Sequence, residues 1–255
     1  MKYLKKFETE NDRSTYENSE SYIEPYVSYV DGGDVHYNKV PETRLVITYN
    51  VIDASQPTQL HYHSGLGPIF NSTDIFDNIE VDGTDISVPD LNTAEGKYQL
   101  SVGEHIVKYT LKDPTYINYW LFGFSKCPAI ISVIIPNSVT NIEYGAFAGC
   151  RGLTSITIGN SVTSIGNYAF QYCSGLTSVT IPSAVTSIGV SAFTDCTSLT
   201  NVTVEATTPP TLGSYTFDNN ASGRKIYVPT ESVDTYKAAT NWSTYAADIQ
   251  ATPTP

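Results

Sequence analysis

Residues 150–172 read CRGLTSITIGNSVTSIGNYAFQY and residues 173–195 read CSGLTSVTIPSAVTSIGVSAFTD, two successive copies of one 23-residue unit. A looser copy precedes them, CPAIISVIIPNSVTNIEYGAFAG (127–149), and another follows, CTSLTNVTVEATTPPTLGSYTFDNN (196–220). The four cysteines of the chain, Cys127, Cys150, Cys173 and Cys196, each open a unit. Phe147, Phe170 and Phe193 keep the same interval, and Phe217 keeps it after a one-residue insertion. A fixed period of this size predicts a solenoid, in which every unit is one coil stacked on the next.

Within a unit, Leu153, Ile156 and Ile158 recur as Leu176, Val179 and Ile181, apolar positions of a short β-strand with Ser and Thr between them facing water. A second apolar set, Val162, Ile165, Ala169 and Phe170, recurs as Val185, Ile188, Ala192 and Phe193. Gly166 and Gly189 fall inside that set, where a chain turning a corner needs a residue without a Cβ. Coils paired through strands should lie about 4.8 Å apart. One coil cannot bury its apolar face alone, whereas a stack can.

The unit LTSVTIPSAVTSIGVSAFTDC (176–196) resembles the BspA-like leucine-rich repeats, and the resemblance extends over roughly residues 113–250. It implies a recognition surface rather than a chemistry, of the kind carried by bacterial surface proteins and by phage proteins. The opening, KYLKKFETEND followed by TYENSESYIEPYVSYV and VHYNK (within 2–39), looks like the short N-terminal piece of virion proteins from phages of gut Bacteroidetes. That likeness implies anchoring to other virion proteins of a capsid or tail, or to sister chains as a homo-oligomer. It also implies a virion location after assembly in the host cytoplasm, with a bacterial cell-surface adhesin as the alternative.

Charge limits the partners. The chain has 255 residues and a formal charge of −12, which argues against nucleic acid, since phosphate binding needs clustered Lys and Arg. Between 127 and 204 the only charged residues are Glu143, Arg151 and Asp195, so the repeat surface is nearly neutral and rich in Ser, Thr and Asn. No run of apolar residues is long enough to insert into a membrane. The N-terminus MKYLKKFETEND has no apolar core of a secretory signal, so a chain starting at Met1 is expected to stay in the cytoplasm or leave by another route.

The fold expected is mainly β, in four parts. Residues 1–40 form a helix-hairpin module, with Thr9 and Asp12 capping a helix to about Asn18. Tyr26–Val30 and Val35–Tyr37 pair in that module across Asp31-Gly32-Gly33-Asp34. Residues 42–112 form an immunoglobulin-like β-sandwich. Its strands include 45–51, a hairpin of 79–81 with 86–88 around Asp82-Gly83, and a hairpin of 98–102 with 105–111 linked at Gly103-Glu104. The sandwich should close the open end of the solenoid. Residues 113–228 are the solenoid, starting with a degraded coil in which Ile117 and Phe122 hold the places of Ile165 and Phe170. Residues 229–255 cap it, with a last strand at 225–229, a helix from Glu231 to about Thr240 carrying Tyr236, then Trp242 and Tyr245.

Candidate sites are few. The stacked cysteines read as a buried ladder of free thiols rather than disulfides or a metal site. His61 and His63 lie two apart and could share one strand face as metal ligands, but no third ligand follows. Asp31, Asp34, Asp82 and Asp85 lie beside glycines; turn formation accounts for them better than calcium. No catalytic motif stands out, and the repeats contain no His, so neither catalysis nor a cofactor is expected. Tyr144, Tyr168 and Tyr172 occupy variable places around the Phe corner, where other coils carry Asn, Gly, Val or Asp. They either cover the corner of their own coil or form a surface for a host glycan or protein.

Overall fold

The computed structural model describes residues 44–51, 76–86, 100–111 and 127–253, together with strands at 4–6, 26–31, 34–39, 58–59, 97–98 and 116–117. The chain divides into two compact units, Met1–Thr43 and Arg44–Pro255.

In the first unit, Tyr26–Asp31 and Asp34–Lys39 form an antiparallel hairpin closed by the Asp31–Asp34 pair, as the Asp-Gly-Gly-Asp turn predicts. Leu4–Lys6 adds a third strand beside Asp34–Lys39. The helix expected between Thr9 and Asn18 lies outside the described residues.

In the second unit, residues 127–253 form a solenoid whose coils are joined on three sides by inter-coil hydrogen bonds. On one side run the longer strands in two sheets, Ile130–Ile134 with Ser155–Thr157, and, after a break in the pairing, Ser178–Ile181, Asn201–Val204, Lys225–Val228 and Ile249–Ala251. Their parallel registers are the 23-residue period made visible: Ile156 lies opposite Val133, and Val202 opposite Val179. On a second side run two-residue strands, with Ile117, Ile142, Ile165, Ile188 and Leu212 in one register. Ile117 thus holds the place expected of it; Phe122 lies outside the described residues.

The third side is the Phe corner. Its strand-like hydrogen bonds recur at every second residue. Gly145, Phe147 and Gly149 donate their N–H groups to the carbonyls of Asn167, Ala169 and Gln171, and Tyr168, Phe170 and Tyr172 donate to Val190, Ala192 and Thr194. Inside the corner the rings of Phe147, Phe170, Phe193 and Phe217 stack at 5.4, 5.1 and 5.7 Å with interplanar angles of 3, 12 and 13°.

Gly166 and Gly189 are required by close approach, not by an unusual φ. A Cβ on Gly166 would sit 2.7 Å from the carbonyl carbon of Glu143, and one on Gly189 would sit 2.4 Å from the amide nitrogen of Asn167. The corner is so tight that only a hydrogen fits between adjacent backbones.

All four cysteines are buried thiols. The Cys173 and Cys196 thiols donate to the carbonyls of Phe147 and Phe170, each at 3.2 Å. Burial pushes the Cys127 thiol up to about 11 and Cys196 up to about 12, so the ladder stays protonated and unreactive at neutral pH.

Strand Arg44–Val51 pairs antiparallel with Ile130–Ile134, the first long strand of the solenoid, so the preceding region extends the solenoid sheet and closes its open edge. Gly103–Leu111, Phe76–Val81 and Thr84–Ile86 continue that sheet. One face of it, with Leu45, Ile47, Tyr49, Val107 and Tyr109, belongs to the same buried core as the coils. The Tyr49 and Tyr109 hydroxyls share a 2.9 Å hydrogen bond.

One expectation changes here and another is not shown. Gly103 and Glu104 do not link a hairpin of 98–102 with 105–111: they are strand residues opposite Val51 and Asn50, and Lys97–Tyr98 pairs with Thr58–Gln59 instead. The immunoglobulin-like sandwich is not what the described residues show; they form this one sheet and the separate two-residue ladder. The hairpin around Asp82-Gly83 is present, with Val81 opposite Thr84.

At the far end, Arg224 is buried and donates to the Phe217 carbonyl, to Asn220 Oδ1 at 3.1 Å and to Asp248 Oδ2 at 2.5 Å. The helix Val233–Ala238 and the turn Trp242–Tyr245 cover the last coil, with Tyr236, Trp242 and Tyr245 all buried. Trp242 ends the Phe stack at 6.0 Å from Phe217. Lys225–Val228 is not the last strand, because Ile249–Ala251 pairs with it in parallel.

Candidate recognition surface

The Phe corner positions side chains on the solenoid surface through an unusual backbone. Two places per coil, four residues apart, adopt positive φ: Gly145 and Gly149, Tyr168 and Tyr172, Ser191 and Asp195, Tyr215 and Asn219. The left-handed turn aims the N–H at the neighbouring coil, as in Tyr168 N–H to Val190 O at 2.9 Å and Tyr172 N–H to Thr194 O at 3.0 Å. Gly, Asn and Asp suit such a place. Tyrosine at φ of 59, 61 and 61° (Tyr168, Tyr172, Tyr215) carries a local cost of about 1–2 kcal/mol each relative to glycine.

Three tyrosines of the corner face water, and Tyr168 is half-buried. Tyr215 is 65% exposed, Tyr144 54% and Tyr172 49%. Tyr144 meets Tyr168 edge to face, with ring centroids 5.3 Å apart. Tyr144, Tyr168 and Tyr172, the three singled out in the sequence, are thus brought onto one corner. Tyr215 joins them and was missed, because the insertion after Glu205 throws it out of the 23-residue count. The column through Tyr168 reads Gly145, Tyr168, Ser191, Tyr215: large side chains on alternate coils, small ones between. Ser191 and Thr194 are buried although they lie on an outer turn. Glycines at both left-handed places of the first coil were the signal that could have marked the columns.

The other candidates dissolve into structure. The Asp82 carboxylate accepts the Ile106 N–H at 2.8 Å and the His105 Nδ1–H at 2.6 Å, so the turn itself uses it. His105 Nε2 faces the Ser101 carbonyl at 3.0 Å. The hydrogen bond to Asp82 raises the His105 pKa. At Asp82 burial opposes ionisation, but the hydrogen bonds from His105 and Ile106 outweigh it and hold the carboxyl below its usual value. His61 and His63 lie outside the described residues, as do the side chains of Asp31, Asp34 and Asp85. Among the described residues no group of three or more His, Cys, Asp or Glu is placed to hold a metal. Nor, among them, is any helix long and apolar enough to cross a membrane.

A pocket of about 350 Å³ opens where the repeat breaks, lined by Ser183, Thr186, Glu205, Thr207, Pro209 and Thr211 among others. It carries hydroxyls and one exposed carboxylate, with no buried polar group aimed into it.

A parallel three-sided solenoid with a Leu/Ile/Val ladder, a stacked Phe corner and a buried Cys ladder defines the class: a leucine-rich-repeat scaffold. More particularly, residues 118–243 match the family described as BspA type leucine rich repeat region, in six copies. No curated protein matches the chain. Repeats of this type fit a surface or adhesion-type protein.

Proposed function

We propose that the chain is a non-enzymatic adhesion module that presents its Phe-corner tyrosines to a ligand on a host cell or in mucus. The observation that carries this reading is the row of corner tyrosines: Tyr172 and Tyr215 are exposed at left-handed places that glycine or asparagine would fill more cheaply, half-buried Tyr168 shares that backbone, and exposed Tyr144 packs against it. The left-handed backbone serves the inter-coil hydrogen bonds, but a bulky ring at such a place, where glycine would do, motivates a functional reading. The unit Met1–Thr43 would join the module to its carrier, through other virion proteins or sister chains. A phage particle and a bacterial cell surface are the two candidate carriers.

Beads coated with the full chain should adhere to mucin layers or to bacterial cells from the native source. A chain with Tyr144, Tyr168, Tyr172 and Tyr215 all changed to Ala should fold with an unchanged melting temperature and lose adhesion. Adhesion that survives the four changes would remove the corner from the reading, and no adhesion by the unchanged chain would remove the reading itself. Density-gradient fractionation of a native lysate separates the carriers: co-banding with DNA-filled particles marks a virion protein, and co-migration with outer-membrane fragments marks a cell-surface adhesin.

A further inference from the structure

We infer that the ligand of the Phe corner is a neutral glycan, stacked on the rings of Tyr168 and Tyr215 across the small side chain of Ser191; this rests on the adhesion reading above. Four observations converge. The first is the alternation of the column: adjacent coils are spaced by the 5.1 and 5.7 Å steps of the Phe rings just beneath. Tyrosines on every coil would crowd at that distance, whereas tyrosines on alternate coils have a small neighbour over which a ring can lie with one face toward water. Gly145 and Ser191, the small residues of the column, are themselves buried, so the corner has no deep slot between its rings. It offers platforms, not a cleft.

The second is the chemistry of such platforms. A sugar ring has an apolar C–H face and a rim of hydroxyls. A tyrosine combines a broad apolar ring with a polar tip, and so matches both parts. The third is the surrounding polar set. Asn167 precedes Tyr168, Gln171 lies between Tyr168 and Tyr172, and Asn219 holds the second left-handed place of the Tyr215 coil, which brings amide donors and acceptors, the groups that hydroxyls need, to the same corner. Asn167 Oδ1 accepts the Val190 N–H at 2.8 Å and Asn219 Nδ2 donates to Asp195 at 2.9 Å, so these amides are held in place.

The fourth is charge. The chain as a whole carries −12, which repels polyanions such as sulfated or sialylated glycans and nucleic acid. The corner itself carries the acids Glu143, Asp195 and Asp218, and Arg151 is the one cation between residues 127 and 220, so it too disfavours an anionic ligand. An uncharged polyhydroxylated ligand is the class that fits both. A proline-rich peptide could also lie on aromatic rings, but it wants a continuous groove and this corner has separate rings.

The test uses the full chain in native gels cast with xyloglucan, galactomannan, arabinan, β-glucan or desialylated mucin. At least one gel should retard the unchanged chain. The double variant Tyr168→Ala/Tyr215→Ala should weaken that retardation by about tenfold or more, as expected for aromatic anchors at the centre of a site. Tyr168→Phe/Tyr215→Phe keeps the ring and should stay within about threefold of the unchanged chain. Retardation untouched by the Ala pair would overturn the site. Bead adhesion that survives periodate oxidation of the target surface but is lost on its protease digestion would overturn the glycan while leaving adhesion standing. Preferential capture of a polyproline peptide would do the same. Beads that fail to adhere at all would remove both readings together.

Discussion

Gly189→Ala tests the claim that coil packing at the Phe corner is limited by backbone contact. The new Cβ would meet the Asn167 amide nitrogen at 2.4 Å, Asn167 Oδ1 at 2.5 Å and the Gly166 carbonyl carbon at 2.6 Å. Ordinary contact starts near 3.4 Å, so the third coil must move off the second by close to 1 Å. Two of the three obstacles are backbone atoms that cannot swing away. Hydrogen bonds from Gly189 N–H to Ile165 O and from Val190 N–H to Asn167 Oδ1, both 2.8 Å, run through the same point and would lengthen.

Overpacking of this kind costs about 1–3 kcal/mol, and one weakened hydrogen bond adds about 1. The lower chain entropy of Ala in the unfolded state returns about 0.4–1 kcal/mol. The net expectation is a loss of about 2–3 kcal/mol, or roughly 4–12 °C in melting temperature for a body of this size. Urea denaturation followed by circular dichroism, with calorimetry beside it, measures both. Gly83→Ala is the control: Gly83 has φ +81° but nothing within 4 Å of the added Cβ, so it carries only the left-handed penalty of about 1–2 kcal/mol. If Gly189→Ala is as stable as the unchanged chain, or clearly more stable than the Gly83 control, close approach is not what the glycine provides.

Three further outcomes are expected. Phe170→Ala removes a fully buried ring stacked between Phe147 and Phe193 and should cost about 3–5 kcal/mol by urea denaturation; a loss under about 1 would mean the stack is not a continuous core. Arg224→Ala leaves Asp248 and the Phe217 carbonyl without their donor, and should cost about 2–4 kcal/mol, the one-third exposure of Asp248 softening the loss; unchanged stability in the same assay would refute the cap's dependence on it. His105 has a raised folded pKa, so its stabilisation is complete below the unfolded histidine value of about 6.5 and fades as pH rises through the folded pKa. His105→Gln should therefore destabilise more at pH 6 than at pH 9, both values lying above the range where Asp82 takes up its proton, and equal losses at both would contradict the assignment.

Much of the solenoid is legible in the chain because its contacts are periodic. Ile142, Ile165 and Ile188 are separated by one repeat and end in one ladder, so a local pattern states a tertiary contact directly. The same reasoning placed Cys127, Cys150, Cys173 and Cys196 in one buried column. Outside the repeats that advantage vanishes. The alternation of residues 103–111 shows which side chains turn inward, but not that the strand pairs with 44–51 rather than with its neighbour at 98–102. Nor does the tail announce Ile249–Ala251 as another rung, because the helix and turn between it and Lys225–Val228 break the period.

The candidate site shows the same division. Tyr144, Tyr168 and Tyr172 stand out in the sequence as departures from the repeat, and that is all the sequence says of them. Their meaning comes from the left-handed backbone at Tyr168, Tyr172 and Tyr215, which arises because N–H groups at the corner must reach across to the next coil. Sequence alone determined the period, the core columns and the near-neutral surface, since each follows from residue type and spacing. Tertiary structure alone decided the partner of the first solenoid strand, the reason for the corner glycines and the tyrosine row, since each depends on how closely two coils approach.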